Sequence, residues 1–238
     1  MRSKDIIYFC KEVNKIMDSK LIKEMAYSLG ADICGVASIK RFKNAPKGFH
    51  PLDVYSETKS VIVFGKQFSA SLFQANTNVP YTFVKNKSIE LLDNISIQLT
   101  FYIEAEDYKA IPIPSDEPYE YWDSQNRQGR GILSLKHLAQ LSGLGWIGKN
   151  TLLINEKYGN RLYLGAVITN AKLTEDDLVS NLCPENCSIC LNACPQSALD
   201  GITINQKKCR EICGSVTDGG GFVYSCNLCR KVCPFAKV

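Results

Sequence analysis

The spacing of the cysteines is the clearest sign of metal binding in the sequence. Of the eleven cysteines, nine lie between Cys183 and Cys233. They include two similar runs, CSICLNACP at 187–195 and CNLCRKVCP at 226–234. In each run the third cysteine is followed by proline. Runs of this kind bind [4Fe–4S] clusters, and the last cysteine of a run can bind the neighbouring cluster. The spacing therefore predicts two [4Fe–4S] clusters with exchanged ligands.

The exchange assigns eight cysteines to two clusters. The proline after Cys194 and after Cys233 interrupts local structure, so the chain can cross to the other cluster at these points. One ligand of the second cluster is Cys209 or Cys213, and we favour Cys209 because Gly214 and the glycines at 219–221 then allow the chain to return. The predicted ligands are Cys183, Cys187, Cys190 and Cys233 for the first cluster, and Cys194, Cys209, Cys226 and Cys229 for the second.

Two other uses of these cysteines agree less well with the sequence. A zinc ribbon would use the two C-x2-C pairs and leave Cys194 and Cys233 without a role. Disulfides are typical of small secreted chains, whereas this sequence has an odd number of cysteines and no signal-peptide pattern. The remaining Cys10 and Cys34 are predicted to be core residues.

Residues 1–180 have the pattern of an α/β domain that must position the cysteines, and residues 181–238 have that of a small cysteine-rich domain. The last two predicted strands are expected to pair around a turn at 158–160, and residues 115–131 are expected to form a long loop. Apolar periodicity and cap residues predict helices at 6–17, 21–29, 85–106 and 134–141, and strands at 31–38, 60–65, 108–114, 150–154 and 161–169.

Composition sets broad limits on function. The sequence is 45% hydrophobic and 22% charged, as in ordinary globular proteins. Its 28 basic and 24 acidic residues leave a net charge of +4, which is small for a nucleic-acid-binding surface. No apolar run reaches the length of about 18 residues that a membrane span needs, and the first residues lack the apolar core of a signal peptide. We therefore expect a cytoplasmic protein without a membrane partner.

A glycine-rich turn, GLGWIG at 143–148, matches the G-x-G-x-x-G pattern of dinucleotide sites. Such a site needs a strand before the glycines and a helix after them. Here the predicted order is helix, glycines, strand, so no helix N-terminus would face a phosphate. The glycines instead allow a tight turn and the close approach of another group. From the residues alone, a ligand site here and simple core packing of Trp146 are both open.

Three segments together resemble the epoxyqueuosine reductase family: LSGLGWIGKNTLLI at 141–154, RLYLGAVIT at 161–169, and the cysteine runs with NACPQSAL at 192–199. The stretch RFKNAPKGFHPLDVYSETKSVIVFG at 41–65 resembles shorter relatives of these enzymes. The resemblance covers the chain from about residue 20 to its end. It implies a nitroreductase-like α/β (α+β) domain of the cobalamin type, related to that of reductive dehalogenases, followed by a bacterial two-cluster ferredoxin-like domain.

The same resemblance implies functional residues. Epoxyqueuosine reductases use cobalamin and two [4Fe–4S] clusters to remove an epoxide oxygen from a tRNA nucleoside. The corrinoid pocket would be lined by residues from the glycine-rich turn and the positions after it, namely Gly145, Trp146, Gly148, Lys149, Asn150 and Thr151.

The sequence departs from the family at the acidic proton donor. The family's position falls near Gly129, and no Asp or Glu occurs between Ser124 and Asn150. Opening an epoxide requires a proton delivered within hydrogen-bond reach of the oxygen. Asp123, Tyr121 and Glu117 are the candidate catalytic substitutes, with a solvated position in the loop as the alternative for each. His137 is predicted to lie on the surface.

The leading hypothesis is an iron–sulfur oxidoreductase that passes electrons through two clusters to a bound corrinoid, which reduces a small substrate. Its electron donor would be of the ferredoxin or flavodoxin type. The alternatives are a non-catalytic electron carrier that serves a partner, such as a corrinoid protein, and a zinc-stabilised binding protein. A tRNA substrate is not favoured, because the charge is low and the family's helical-repeat region does not follow the cysteines.

Overall fold

An antiparallel sheet of four strands forms the centre of the computed structural model, which describes residues 17–237. The strands are β1 (Ile33–Ser38), β2 (Ser60–Gln67), β3 (Ala110–Ile113), β4 (Tyr121–Asp123), β5 (Gln128–Arg130), β6 (Trp146–Ile147), β7 (Leu153–Ile154), β8 (Leu162–Thr169), β9 (Ser215–Val216) and β10 (Phe222–Val223). The helices are α1 (Ser19–Ser28), α2 (Pro51–Val54), α3 (Val79–Ala105), α4 (Leu135–Leu141), α5 (Ile189–Asn192), α6 (Gln206–Arg210) and α7 (Leu228–Lys231). The central sheet has the strand order β1-β2-β8-β3.

Helices cover both faces of the central sheet. On one face, α1 and α3 pack against β1, β2 and β8, so that Ile22, Leu99 and Ile62 belong to one buried cluster. On the other face, Leu138 of α4 packs with Val63 of β2 and their neighbours. The first six residues of β2 are buried, because the strand has a covered sheet face on either side. This explains why β2 is a continuous apolar run instead of an alternating one.

The predicted helices and strands agree with the structure in type, with two differences. Helix α3 begins at Val79 instead of residue 85, since Pro80 stands in its first turn, where proline is well tolerated. The predicted loop at 115–131 contains the hairpin of β4 and β5. Residues 6–16 of the first predicted helix, including Cys10, lie outside the described residues.

The predicted pairing of 150–154 with 161–169 is wrong. Strand β8 pairs with β2 and β3, whereas β7 pairs with the short strand β6. The reversal between β7 and β8 keeps only the bridge between Asn155 and Gly159. A long apolar strand such as β8 buries more surface between the equally long β2 and the four-residue β3 than beside the two-residue β7, so the distant partners are preferred.

The cysteine-bearing segment packs against one end of the sheet. A third buried cluster joins Phe68, Tyr81 and Ile154 to Cys233 and Ala236. Helices α5 and α7, which carry cysteines of the two runs, contact each other. None of the helices in residues 17–237 has the length and apolar character of a membrane-spanning helix.

Candidate functional site

Four cysteines from distant positions line one cavity. Cys183, Cys187, Cys190 and Cys233 line one small cavity whose other walls include Lys149 and Ile154. Cys190 and Cys233 are buried. Burial raises the pKa of the Cys190 thiol, and the neighbouring Cys233, Cys183 and Cys187 raise it further. Thiols that affect one another in this way are close enough to bind a common group.

The remaining cysteines form a second group beside the first. Burial raises the pKa of Cys229 to about 11, and Cys226 and Cys194 add to the shift. Cys209 also faces Cys229 and Cys226. It is placed to donate a hydrogen bond to Cys213, and this contact lowers the pKa of Cys213 to about 6. The second group therefore contains Cys194 from the first run.

Each of the two groups contains one cysteine from the other run, and the predicted exchange of cluster ligands stays a prediction. Cys233 lies with the first run, and Cys194 lies near Cys229 of the second. Cys190 also influences Cys229, so the groups are adjacent. Within residues 17–237, no set of three or more His, Cys, Asp or Glu side chains closes around a single metal ion. The thiols of the first group line one cavity, and their binding of a cluster stays a prediction.

Two polar residues after the glycine-rich turn hold the cysteine segments in place. The Lys149 ammonium donates to the backbone carbonyl of Pro184 (3.4 Å), to that of Cys187 (2.9 Å) and to that of Glu185. The Asn150 side-chain amide donates to the carbonyl of Cys229 at 3.1 Å. Lys149 therefore holds the backbone next to Cys187 of the first group, and Asn150 holds the backbone of Cys229 in the second.

The glycines of the turn are required by the protein's own backbone. A Cβ atom at Gly143 would lie 2.1 Å from the carbonyl oxygen of Asp177, and one at Gly145 would lie 2.2 Å from that of Ile154. Their φ angles are +73° and +154°, which side-chain-bearing residues rarely adopt. At Gly148 a Cβ would meet the Ile154 side chain at 2.6 Å. Packing inside the chain thus accounts for all three glycines.

The other two predicted corrinoid contacts lie in the same connection. Trp146 is half-buried in β6, and Thr151 is buried with a φ of +62°. The predicted residues are therefore gathered between the sheet and the cysteine groups. Their role as corrinoid contacts stays a prediction.

Of the candidate catalytic residues, Asp123 and Tyr121 belong to the β4–β5 hairpin. The Asp123 carboxylate accepts hydrogen bonds from the Gln125 and Asn126 backbone amides, both at 3.0 Å, and from the Asn126 side chain at 2.8 Å. The bonds from Asn126 are the main reason that the pKa of Asp123 is lowered. Tyr121 lies under the Arg130 guanidinium at 4.1 Å. An acid with a lowered pKa is ionised at neutral pH, so Asp123 is poorly suited to donate a proton.

The hairpin connects the cysteine groups to a large cavity. Gly129 exchanges two backbone hydrogen bonds with the Gln206 side chain, both of 3.0 Å, and Gln206 begins the helix that carries Cys209. At the other end of β5, the Arg130 guanidinium lies 5.9 Å from the Phe49 ring, and Phe49 lines a cavity of about 570 Å³. The cavity walls are Arg41, Phe42, Asn44, Ala45, Pro46, Phe49, Ser134, His137, Leu138, Gln140 and Leu141.

This cavity contains residues that the sequence did not single out. His137 is exposed, as predicted, but it lines the cavity and hydrogen-bonds to Ser134 at 2.7 Å. Although the side chain reaches solvent, neighbouring groups remove part of the water around its ring, and this, together with Lys136, lowers the pKa of His137 and favours the neutral imidazole. One hint of the His137–Ser134 contact was present in the sequence, their spacing of three residues on a helix, but pairs with this spacing occur on every helix.

Comparison with known proteins defines what the chain resembles. No protein-family model matches the sequence. The epoxyqueuosine reductase of Listeria monocytogenes is 37% identical over 117 residues, which are 45% of this chain and 31% of that enzyme. That of Gloeobacter violaceus is 35% identical over 117 residues, or 44% of this chain and 36% of the enzyme. The matches thus span about a third of the length of these curated relatives.

Solved structures match over more of the chain at lower identity. Epoxyqueuosine reductase from Streptococcus thermophilus superimposes with a TM-score of 0.63 at 21% identity, covering 92% of this chain and 66% of that one. A catabolic reductive dehalogenase in complex with 3-bromo-4-hydroxybenzoic acid gives 0.68 at 17% identity, covering 91% of this chain and 31% of that one. One epoxyqueuosine reductase structure contains an epoxyqueuosine-modified tRNA stem loop.

The fold is therefore a mixed α/β fold of the class found in epoxyqueuosine reductases and reductive dehalogenases. Within that class, the sequence similarity is to the epoxyqueuosine reductases, and the family resemblance inferred from the sequence is confirmed.

Proposed function

We propose that this chain is an iron–sulfur oxidoreductase that passes electrons through two [4Fe–4S] clusters to a bound corrinoid, which reduces a small substrate. The observation that carries the proposal is the exchange of Cys194 and Cys233 between the two cysteine groups. A zinc ribbon gives no reason for that exchange, whereas a pair of clusters with shared runs requires it. In this proposal residues 1–180 form a nitroreductase-like domain and residues 181–238 a ferredoxin-like domain.

The residues present fit two clusters. The proposed ligands are the four cysteines of the first cavity for one cluster, and Cys194, Cys209, Cys226 and Cys229 for the other. Lys149 would fix the loop between Cys183 and Cys187 through its three carbonyl contacts. Asn150 would fix the carbonyl of Cys229. Both hold the sulfur ligands in place without binding iron themselves. An electron donor of the ferredoxin or flavodoxin type would supply the electrons.

The corrinoid is supported by the relatives, and the cavity beside α4 is a candidate site for the substrate. When bound, the corrinoid would supply two-electron reducing chemistry at cobalt. The cavity has apolar walls with a few polar groups and lies within the usual 300–1,000 Å³ range of small-molecule sites. Its aromatic and aliphatic side chains would exclude water from a substrate. Arg41, Gln140 and Ser134 offer polar atoms at its edge. The size favours a small molecule as substrate, with tRNA kept as a second substrate to assay.

A second function, that of a non-catalytic electron carrier, is favoured by the contacts that the glycine-rich turn and the two residues after it make within the chain. Its three glycines face backbone or side chains of the chain itself, and Lys149 and Asn150 are engaged with the cysteine segments. Asp123 is also committed to a turn. A carrier would keep the clusters and their supports without needing a corrinoid or a proton donor.

The deciding experiment is an anaerobic preparation in which iron and sulfide are counted and cobalamin is then titrated. Two clusters require about eight irons per chain. Eight irons with a change in the visible and electron paramagnetic resonance spectra of cobalamin support the reductase. The same iron content without a change in those spectra supports the electron carrier. Zinc in place of iron contradicts both functions.

The exchange of ligands has its own test in Cys194→Ala. Because Cys194 lies in the first run but faces Cys229, its loss should remove the second cluster and leave about four irons per chain. Cys34→Ala is the matched control, since Cys34 is buried in β1 away from both groups. Equal loss of both clusters, or of neither, would contradict the exchange.

A further inference from the structure

Arg230 is a buried cation between cysteines of both groups. It lies in α7, directly after Cys229 of the second group and three residues before Cys233 of the first, and it is 8% exposed. Arginine is rarely buried unless an acidic group balances its charge. Among the ion pairs of residues 17–237, none includes Arg230. The charge of this guanidinium is therefore not balanced by a carboxylate of the described chain.

The surroundings of Arg230 accept hydrogen bonds from its guanidinium but do not neutralise its charge. The guanidinium donates to the carbonyl of Asn160 at 2.6 Å and to that of Leu162 at 3.4 Å. It lies 5.1 Å from the Phe68 ring and 5.3 Å from the Tyr163 ring. Burial raises the pKa of Tyr163, so this residue remains a neutral phenol. Carbonyl dipoles and ring faces stabilise a cation, but they do not neutralise it.

We propose that Arg230 is a fixed positive charge beside the clusters that makes at least one of them easier to reduce. The inference rests on the proposed function, because it requires the clusters to be present. A [4Fe–4S] cluster with four thiolates is anionic and gains one more negative charge when it accepts an electron, and local charge is one of the factors that set its potential. A buried cation beside it stabilises the reduced state more than the oxidised state, and the low dielectric strengthens this effect.

Arg230 is placed near cysteines of both groups. It lies close enough to Cys229 to oppose the rise in pKa that burial causes there, and it packs on Phe68 and Tyr163, which share a buried cluster with Cys233. The Arg230 side chain turns inward, toward the end of the sheet, where solvent does not screen the charge. The neighbouring Lys231 carries the same charge on the same helix, but it is exposed. Exposed charges are screened by water and salt, so Lys231 is a matched control for the effect of burial.

The test is a redox titration of the anaerobic holoprotein, followed by electron paramagnetic resonance, for wild type, Arg230→Gln, Arg230→Lys and Lys231→Gln. We expect Arg230→Gln to shift the midpoint potential of at least one cluster to a more negative value. Arg230→Lys should stay close to wild type, because it keeps the charge. Lys231→Gln should leave both potentials unchanged. Unchanged potentials in an iron-replete Arg230→Gln protein would overturn the proposal and leave Arg230 a structural role only.

If the Arg230→Gln protein does not take up iron, the Arg230→Lys protein shows whether the charge at this position is what matters. Lysine keeps the positive charge but lacks the planar guanidinium that donates hydrogen bonds to the carbonyls of Asn160 and Leu162. Normal iron content and near-wild-type potentials in this variant support the proposal. Failure of Arg230→Lys to load iron would show that the hydrogen bonds, and not the charge, are what matters, and would overturn it. Absence of clusters from the wild-type protein would instead refute the proposed function itself, so the two failures are distinguishable.

Discussion

At the scale of single residues, the environments of the cysteines separate an inert thiol from the candidate ligands. Cys34 lies in β1 opposite Phe64 and is buried. Burial is the main cause that raises its pKa to about 12. No other cysteine is among the causes of this shift, whereas the thiols of Cys190, Cys209, Cys229 and Cys233 all respond to further cysteines. The predicted core role of Cys34 agrees with this environment.

We expect Cys34 to resist alkylation in the folded protein. With a pKa of about 12, only about one thiol in ten thousand is ionised at pH 8, and the thiolate is the reactive form. The holoprotein would be treated with iodoacetamide at pH 8, digested and analysed by mass spectrometry, with urea-unfolded protein as control. Modification of Cys34 as fast in the folded as in the unfolded protein would contradict this prediction.

The choice between Cys209 and Cys213 leads to a paired prediction. Cys209 faces Cys226 and Cys229 of the second group, whereas the main contact of Cys213 is with Cys209. Cys209→Ala should therefore lose about half of the iron, and Cys213→Ala should keep nearly all of it. Iron analysis and the electron paramagnetic resonance spectrum of the remaining cluster measure both. The reverse result would assign Cys213 as the ligand.

At the scale of elements, the glycine-rich turn after α4 depends on a close backbone approach. Gly143 and Gly220 have similar φ angles, +73° and +79°. A Cβ at Gly143 would lie 2.1 Å from the Asp177 oxygen, whereas a Cβ at Gly220 would have no atom within 4 Å. An alanine at either position would therefore have a similarly unfavourable φ, but only at Gly143 would its Cβ clash with another part of the chain.

We expect Gly143→Ala to be clearly more destabilising than Gly220→Ala. Both changes should cost about 1–2 kcal/mol from the left-handed backbone. Gly143→Ala should lower the free energy of unfolding by a further ~1–3 kcal/mol, because the segment at Asp177 must move. At roughly 2–4 °C per kcal/mol, thermal unfolding of the two variants measures the difference. Equal melting temperatures would show that the turn can move away from Asp177 without cost.

The sequence predicted local elements better than it predicted their partners. The apolar run of β2 and the periodicity of α4 are local features, so both elements were found near their true bounds. The pairing of β8 was wrong, because its partner strands lie far away in the sequence and no local signal specifies them. The cavity beside α4 was missed for the same reason, since it forms only where residues 41–49 meet that helix.

The candidate site was predictable to the extent that it depends on spacing. The two cysteine runs indicated the exchange of Cys194 and Cys233. Cys233 lies beside the first run and Cys194 close to Cys229, and their binding of clusters stays a prediction. The contacts of Lys149 with residues 184–187 could not be predicted, because they depend on how the glycine-rich turn meets the cysteine segment. Arg230 was also missed, since an arginine beside cysteines gives no signal of burial.

At the scale of the whole molecule, the sheet and the cysteine segment differ in what stabilises them. The sheet is covered by two large apolar clusters. Between residues 181 and 237 the buried apolar side chains are few, and two of them are proposed ligands. They are Cys190, Ala198, Leu199, Cys233 and Ala236. With the proposed clusters bound, this segment would depend on them in place of a core, as small metal-binding domains do.

Removal of iron should loosen the cysteine segment and leave the sheet intact. After treatment with an oxidant and a chelator, hydrogen exchange should increase for amides of α5, α6 and α7. Amides of β2 and β8 should remain protected, because their packing does not involve iron. Exchange followed by mass spectrometry measures both regions in one experiment. Uniform loss of protection would show that the clusters stabilise the entire chain.

The position of β8 in the sheet has a consequence for the newly made chain. Strand β2 pairs with β8 along its full length, and β3 has only β8 beside it among the described strands. Ribosomes add roughly 5–20 residues per second, so β2 leaves the ribosome about 5–20 seconds before β8 is available. During that time an apolar strand edge is open to pairing with other chains. The nascent protein is thus most exposed to aggregation before residue 169 is made, and chaperones are needed most in that interval.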